Sequence, residues 1–192
     1  RRRTGQGQYI DLSQVEASLH FVAPLLLEYT ANGRDRGRLG NASPYACPHG
    51  AYRCRGEDRW LALSVSSDEE WQALVRAMGS PPWTNDWRFA TFLGRHRHAA
   101  ELDRHIEGWT QRYTPEQAME VLQAAGVSAG VVESTRDLHE DPQLQHRHHF
   151  WRLEHPEIGP HCYDGFPFRL SLTPGVLARP APLLGEHTEF VC

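Results

Sequence analysis

Residues 40–65, GNASPYACPHGAYRCRGEDRWLALSV, constrain the fold more than any other stretch. Two short strand patterns, residues 51–55 and 60–65, flank Gly56-Glu57-Asp58. A glycine-containing connection of that length between apolar runs specifies a β-hairpin. The loop before it, rich in small residues and proline, carries Tyr45, Ala46, Cys47, Pro48, His49 and Gly50. Loops held by rigid elements are where binding groups concentrate, so these six residues are the candidate ligand-facing set.

Helix signals surround the hairpin. Residues 5–12 read as a short strand with Tyr9, Ile10 and Leu12. Ser13 and Glu16 then form a capping-box pattern for a long helix, bent at Pro24 and ended by Asn32-Gly33. That helix is apolar nearly all round, which suits packing between layers or in a subunit interface. Ser67 with Glu70 caps a second helix bearing Trp71, Leu74, Val75 and Met78. A third is expected over residues 95–112, with Ala99, Leu102, Ile106 and Trp109 as its buried stripe. Thr114-Pro115-Glu116-Gln117 starts a fourth, with Ala118, Val121, Leu122 and Ala125 facing the core and Gly126 ending it. Residues 127–132 read as a strand, Thr135 and Asp141-Pro142 as starts of short helices, and residues 149–153 as a strand. Residues 163–170, broken by Gly165 and Pro167, read at best as a sheet edge. The proline-containing tail, residues 173–184, reads as extended. The fold class is α+β: a short antiparallel sheet with packed helices, a long N-terminal helix and an extended C-terminal segment.

Composition excludes several classes. A chain of 192 residues suits one domain or little more. A formal net charge of -4 gives no basic field for nucleic acid. The longest apolar run contains His20 and Pro24 and is too short to span a bilayer. Without CxxC spacing or a secretory signal, Cys47, Cys54, Cys162 and Cys192 read as free thiols in a reducing cytoplasm. His96 and His98, and His146, His148 and His149, lie in polar stretches without the spacing of a zinc site, so no metal is expected.

No ordinary catalytic set is present. The sequence has no GxSxG elbow and no P-loop, and Gly5-Gln6-Gly7 precedes a strand pattern rather than opening a helix. Cys47 and His49 are two apart in a loop with no third orienting group, so Cys47 reads as a small loop residue rather than a nucleophile. Asp11 ends a strand pattern, Glu16 serves its helix start, and Asp137, Glu140 and Asp141 are a solvated acidic cluster.

Six motifs, in order, resemble the class III CoA-transferases, a family that includes formyl-CoA transferase, carnitine CoA-transferase and α-methylacyl-CoA racemase. They are GQGQYIDLSQVEASL, the loop and hairpin above, Asp86-Trp87-Arg88-Phe89, AAGVSAGVV, Asp141-Pro142-Gln143 and the closing Ala181-Pro182-Leu183-Leu184-Gly185-Glu186-His187. The resemblance implies CoA transfer between an acyl-CoA and a carboxylic acid through an aspartyl anhydride and thioester. In the racemases it implies an Asp and a His shuttling an α-proton. Both sets of catalytic residues lie upstream of the segment matching GQGQYIDLS, so the resemblance implies none in this chain, and Asp11 does not match them.

The implied organisation is a strand and linker helix leaving a large Rossmann-like domain (residues 1–38), a small α+β domain (39–148) and a C-terminal segment returning to the large domain (149–192). Both ends read as cut. The chain is expected to be a fragment of a cytoplasmic, interlocked homodimer, inactive alone, with coenzyme A thioester as a substrate and no bound cofactor. Residues 45–50 match the family's active-site-covering loop by position. Some transferases carry a glycine run there and this chain has ACPHG, which leaves a racemase or another acyl-CoA subgroup open; a noncatalytic dimerisation or binding module of the same fold is a separate alternative.

Overall fold

The computed structural model of the protein describes residue 2 and residues 4–192. Residues 6–13 form no strand; they are irregular and exposed. Tyr9, Ile10 and Leu12 give this segment a strand's apolar content, but no neighbouring strand among the described residues pairs their backbone, and a lone strand has no ladder to stabilise it.

Ser13 Oγ accepts the Glu16 amide at 3.4 Å and starts α1 (Gln14–Leu19). The expected long N-terminal helix is two helices. After Leu19 the amides of residues 20–22 bond three residues back, not four, which tightens the chain into a turn. α2 (Ala23–Asn32) then begins with Pro24 in its first turn, where the missing N–H costs nothing. Gly33, at φ 64°, ends it. Pro24 therefore starts a helix rather than bending one.

The central sheet has three antiparallel strands in sequence order: β1 (His49–Arg53), β2 (Trp60–Ser64) and, later in the chain, β3 (Ser128–Val132). β1 begins two residues earlier than the sequence pattern suggests. Cys47 N–H donates to Val65 C=O at 2.8 Å and Val65 N–H to Pro48 C=O at 2.9 Å, so the ladder continues into the loop. At the other end Arg55 N–H is drawn away to Tyr113 C=O, which closes the strand. Alternation gives the sheet two faces. Tyr52, Leu61 and Leu63 are buried beneath it, while Ala51, Ala62 and Gly130 lie opposite one another on its outer face.

Helices cover the inner face. α3 (Asp68–Ala77) is capped by Ser67; Glu70 does not reciprocate to Ser67 but accepts from the Ser66 amide at 2.6 Å and its hydroxyl at 2.9 Å. Two single 3-10 turns follow, Pro82–Asn85 and Trp87–Phe89. The expected third helix starts earlier and is broken: α4 (Phe92–Arg97), capped by Thr91, meets α5 (Ala99–Thr110) at His98, whose φ of -112° and ψ of 25° leave the helical region. Gly94, within α4, packs against the preceding 3-10 turn, where a Cβ would lie 2.4 Å from the Arg88 carbonyl oxygen. α6 (Pro115–Ala124) carries the full capping box of Thr114 and Gln117. Its buried face is Ala118 and Leu122, and Val121, expected inside, is 38% exposed.

Trp71, Leu74, Phe89, Leu102, Ile106, Leu122 and Val127 join the inner sheet residues in one core. Each such fully buried side chain contributes about 1.5–3 kcal/mol of transfer free energy. Every hydrophobic residue of that core lies between Cys47 and Val127.

Beyond it come α7 (Thr135–Glu140), α8 (Pro142–His146) and a separate antiparallel hairpin of β4 (Phe150–His155) and β5 (Gly159–Asp164). The sheet edge expected at residues 163–170 is displaced to Gly159–Asp164. Gly159 at φ 72° allows the tight return of β5 onto β4, and the Gly165 amide closes onto His149 C=O. Residues after 165 have no regular structure until α9 (Thr188–Val191).

Candidate functional site

The loop before β1 is fastened from below by Arg95, which is 1% exposed. Its guanidinium donates from Nε to Cys47 C=O at 3.2 Å, from Nη1 to Phe89 C=O at 3.2 Å and from Nη2 to Asp68 Oδ1 at 2.6 Å. It also lies over the Trp71 ring at 5.0 Å. A buried cation is tolerated because each edge has an acceptor. The result is a loop whose middle cannot shift without opening the core.

That anchorage divides the six candidate residues. Ala46, Cys47 and Pro48 are buried; Tyr45, at 75% exposure, and His49 stay at the surface, with Gly50 half-buried. His49 Nδ1–H donates to Asn41 C=O at 2.5 Å and ties the start of β1 to the incoming chain.

Two concavities meet at this loop. One, of about 520 Å3, spreads over the outer face of the sheet between His49 and Gly130. The other, of about 400 Å3, lies between residues 41–47, β1 and α5. On its lining, Tyr52 Oη–H donates to Asp103 Oδ1 at 2.7 Å. Burial, then the hydrogen bond to Asp103, pushes the Tyr52 phenol well above its ordinary range. Burial also raises the Asp103 carboxyl, against the lowering effect of Tyr52. The Cys47 thiol is pushed up to about 11 by burial and by the Asp103 charge. A thiol held protonated by burial is a poor nucleophile.

Asp103 and Arg95 escape a reading of the sequence. Both look like solvated helix charges; only the convergence of segments 48 and 51 residues away gives them partners. The one signal was Tyr52, whose hydroxyl had to find an acceptor once strand alternation turned it inward.

Elsewhere, Arg59 pairs with Glu116 and Asp137, tying the hairpin turn to the starts of α6 and α7. Asp86 accepts from the Arg88 amide at 2.9 Å and its guanidinium at 2.6 Å, and Arg88 reaches Glu101 at 2.5 Å. A further cleft of about 520 Å3 lies among Arg147, Trp151, Phe166, Phe168 and Arg169 and shares no lining residue with the first two. Among the described residues no three His, Cys, Asp or Glu side chains converge as a metal site, all four cysteines are free thiols, and no helix is long and apolar enough to cross a membrane.

The three-stranded sheet, with helices beneath it and the anchored loop at its edge, therefore carries two concavities that share Asn41, His49, Gly50 and Ala51. A family model described as CoA-transferase family III matches residues 1–188. A probable CoA-transferase of Mycobacterium tuberculosis is 34% identical over 193 residues, covering 100% of this chain and 24% of that protein. Succinyl-CoA–D-citramalate CoA-transferase of Chloroflexus aurantiacus is 33% identical over 191 residues, covering 100% and 47%. A solved CAIB/BAIF family protein from Brucella suis superposes with a TM-score of 0.84 at 26% identity, over 100% of this chain and 49% of that one. The chain belongs to CoA-transferase family III. It spans about half the length, or less, of these relatives.

Proposed function

We propose that this chain is the substrate-covering part of a class III CoA-transferase that moves CoA between an acyl-CoA and a carboxylic acid. The carboxylate that does the covalent work lies outside these 192 residues. That carboxylate attacks the acyl-CoA thioester carbonyl; the C–S bond breaks, CoA leaves as thiolate, and a mixed anhydride remains. The thiolate then attacks the aspartyl carbonyl, releasing the donor acid and leaving an enzyme thioester for the acceptor acid. Tyr45, Ala46, Cys47, Pro48, His49 and Gly50 form the loop that closes over this chemistry, with Tyr45, His49 and Gly50 presenting side chain or backbone to the substrate. The missing part is a Rossmann-like large domain, on which α1, α2 and residues 165–192 pack, and two copies interlock as a homodimer.

The observation that carries this reading is full coverage of the chain by transferases at 33–34% identity, joined to a site that has an anchored loop and two concavities but no activated nucleophile. Transfer is favoured over racemisation because these relatives are named as transferases. The test is exchange of CoA from succinyl-CoA to a panel of carboxylic acids, followed by chromatography. The chain alone gives no turnover, and the chain joined to the preceding half of such an enzyme does. Turnover by the chain alone, or none by the joined protein with any acid, overturns the proposal.

A further inference from the structure

We infer that the outer face of the central sheet carries an anion subsite, the rung of His49, Ser64 and Ser128, which takes the far carboxylate of a short dicarboxylic acid. This rests on the transferase reading above and names the class of acid that the site is built to hold.

The rung is a product of strand register. His49 on β1 pairs with Ser64 on β2, and Ser64 pairs with Ser128 on β3. Directly paired residues share a face, with Cβ atoms about 4.5–5.5 Å apart, so an imidazole and two hydroxyls stand side by side across three strands. Two residues along each strand, Ala51, Ala62 and Gly130 form the next rung on the same face. Both rungs line the concavity of about 520 Å3. Trp60, with the Arg53 guanidinium over it at 4.8 Å, bounds this small-residue floor on its far side. Gln123, on α6, closes the end beside Ser128, and its amide is fixed by donating to Ala129 C=O at 2.8 Å.

His49 is preset for an anion. Its Nδ1 lies 2.5 Å from Asn41 C=O, and a carbonyl only accepts, so Nδ1 carries the ring proton and Nε2 is the nitrogen left for a ligand. Against a carboxylate, Nε2 takes a second proton from solvent and the imidazolium donates a charge-assisted hydrogen bond, with the Ser64 and Ser128 hydroxyls as neighbouring donors. The Asp103 carboxylate, which would repel such a ligand, opens into the other concavity and is bound to Tyr52 on the inner side of the sheet. The alanine and glycine rung leaves room for a methylene chain to lie along the strands towards the reacting end of the acid. A monocarboxylic acid of the same length brings only a methyl group to the rung. A site built around hydrogen-bonding groups discriminates strongly against an analogue that cannot pair with them.

The experiment gives the complete enzyme, this chain joined to its preceding half, succinyl-CoA and a matched acceptor pair of equal length: glutarate and pentanoate. The unmodified enzyme prefers glutarate at least tenfold in kcat/KM. His49→Asn keeps an N–H near the position of Nδ1 for Asn41 C=O and removes Nε2; it lowers the ratio at least tenfold, by raising KM for glutarate more than KM for pentanoate. Ser64→Ala and Ser128→Ala together lower it about threefold in the same sense, and they keep the test readable should His49→Asn fold poorly. A preference for pentanoate in the unmodified enzyme, or a ratio unchanged in both variants, overturns the subsite while leaving transfer intact. A raised KM for succinyl-CoA with an unchanged acid ratio would put a CoA phosphate on the rung and overturns it equally. Absence of transfer with either acid and with the wider acid panel overturns the transferase reading itself.

Discussion

Residues 46–132 and the segments on either side of them follow the same local rules and reach opposite ends. In the central region, a capped amphipathic helix such as α3 buries Trp71, Ala73 and Leu74. In the N-terminal flank, α1 is also capped by a serine, and α2 is more apolar than α3, yet neither has a buried residue. Phe21, at 89% exposure, and Leu172, at 92%, stand in solvent, whereas Phe89 and Leu102 are fully enclosed. Caps and side-chain periodicity are enough to make a helix; burial requires a second layer within reach. The central region finds that layer in its own sheet. In our proposal, the flanks find it in the other half of the enzyme and in a second copy.

The sharpest way to break this contrast is to truncate matched aromatic residues. Phe89→Ala is expected to destabilise the chain by about 3–5 kcal/mol in urea unfolding, through lost transfer energy and the cavity left behind. Phe21→Ala should change it by less than about 0.5 kcal/mol. Equal losses would mean that the flank is already packed. Next in size is Arg95→Met, which leaves the Cys47 and Phe89 carbonyls without their donor and should cost about 2–3 kcal/mol. Faster exchange of the Cys47 amide would accompany it; an unaffected loop would show that Arg95 does not anchor it. Gly94→Ala forces a Cβ against the Arg88 carbonyl and is expected to cost about 1–3 kcal/mol, read as a lower urea midpoint.

Acid sharpens the contrast in a different way. The Arg88 guanidinium holds Asp86 down at about 2, and the Ser134 amide with Arg59 holds Asp137 at about 2, both from 3.8. Groups depressed in the folded state stabilise it above pH 3.8, and that contribution is lost as pH falls from about 4 towards 2. The urea midpoint of the central region should therefore drop through that window, less steeply in Asp86→Asn. Asp103 works in the opposite sense: its carboxyl is raised, so its ionisation opposes folding, and Asp103→Asn should leave the chain at least as stable at pH 7. The smallest effect belongs to the flanks. Phe21→Ser with Leu25→Ser should leave unfolding unchanged but reduce self-association of the isolated chain, measured by sedimentation.

Much of the central region was legible because its signals are local. Thr114-Pro115-Glu116-Gln117 fixes the start of α6 to the residue, and Ser67 and Gly126 mark ends that the structure keeps. What failed depended on partners far along the chain. The breaks at residues 20–22 and at His98 carry no glycine or proline at the break itself. Residues 6–13 have the apolar content of a strand but pair with no strand among the described residues. The loop itself could be picked out by its composition. Its polarity could not, because Asp103 reaches it only through the packing of α5 on β1.

Hydrogen exchange tests the contrast most directly, measured amide by amide on the chain alone and on the chain joined to its preceding half. The account predicts slow amides confined to the central sheet and α3 to α6 in the chain alone, with α1 and α2 becoming slow only in the joined protein. Slow exchange in α1 and α2 of the chain alone, matching that of Leu61 and Leu102, would contradict it.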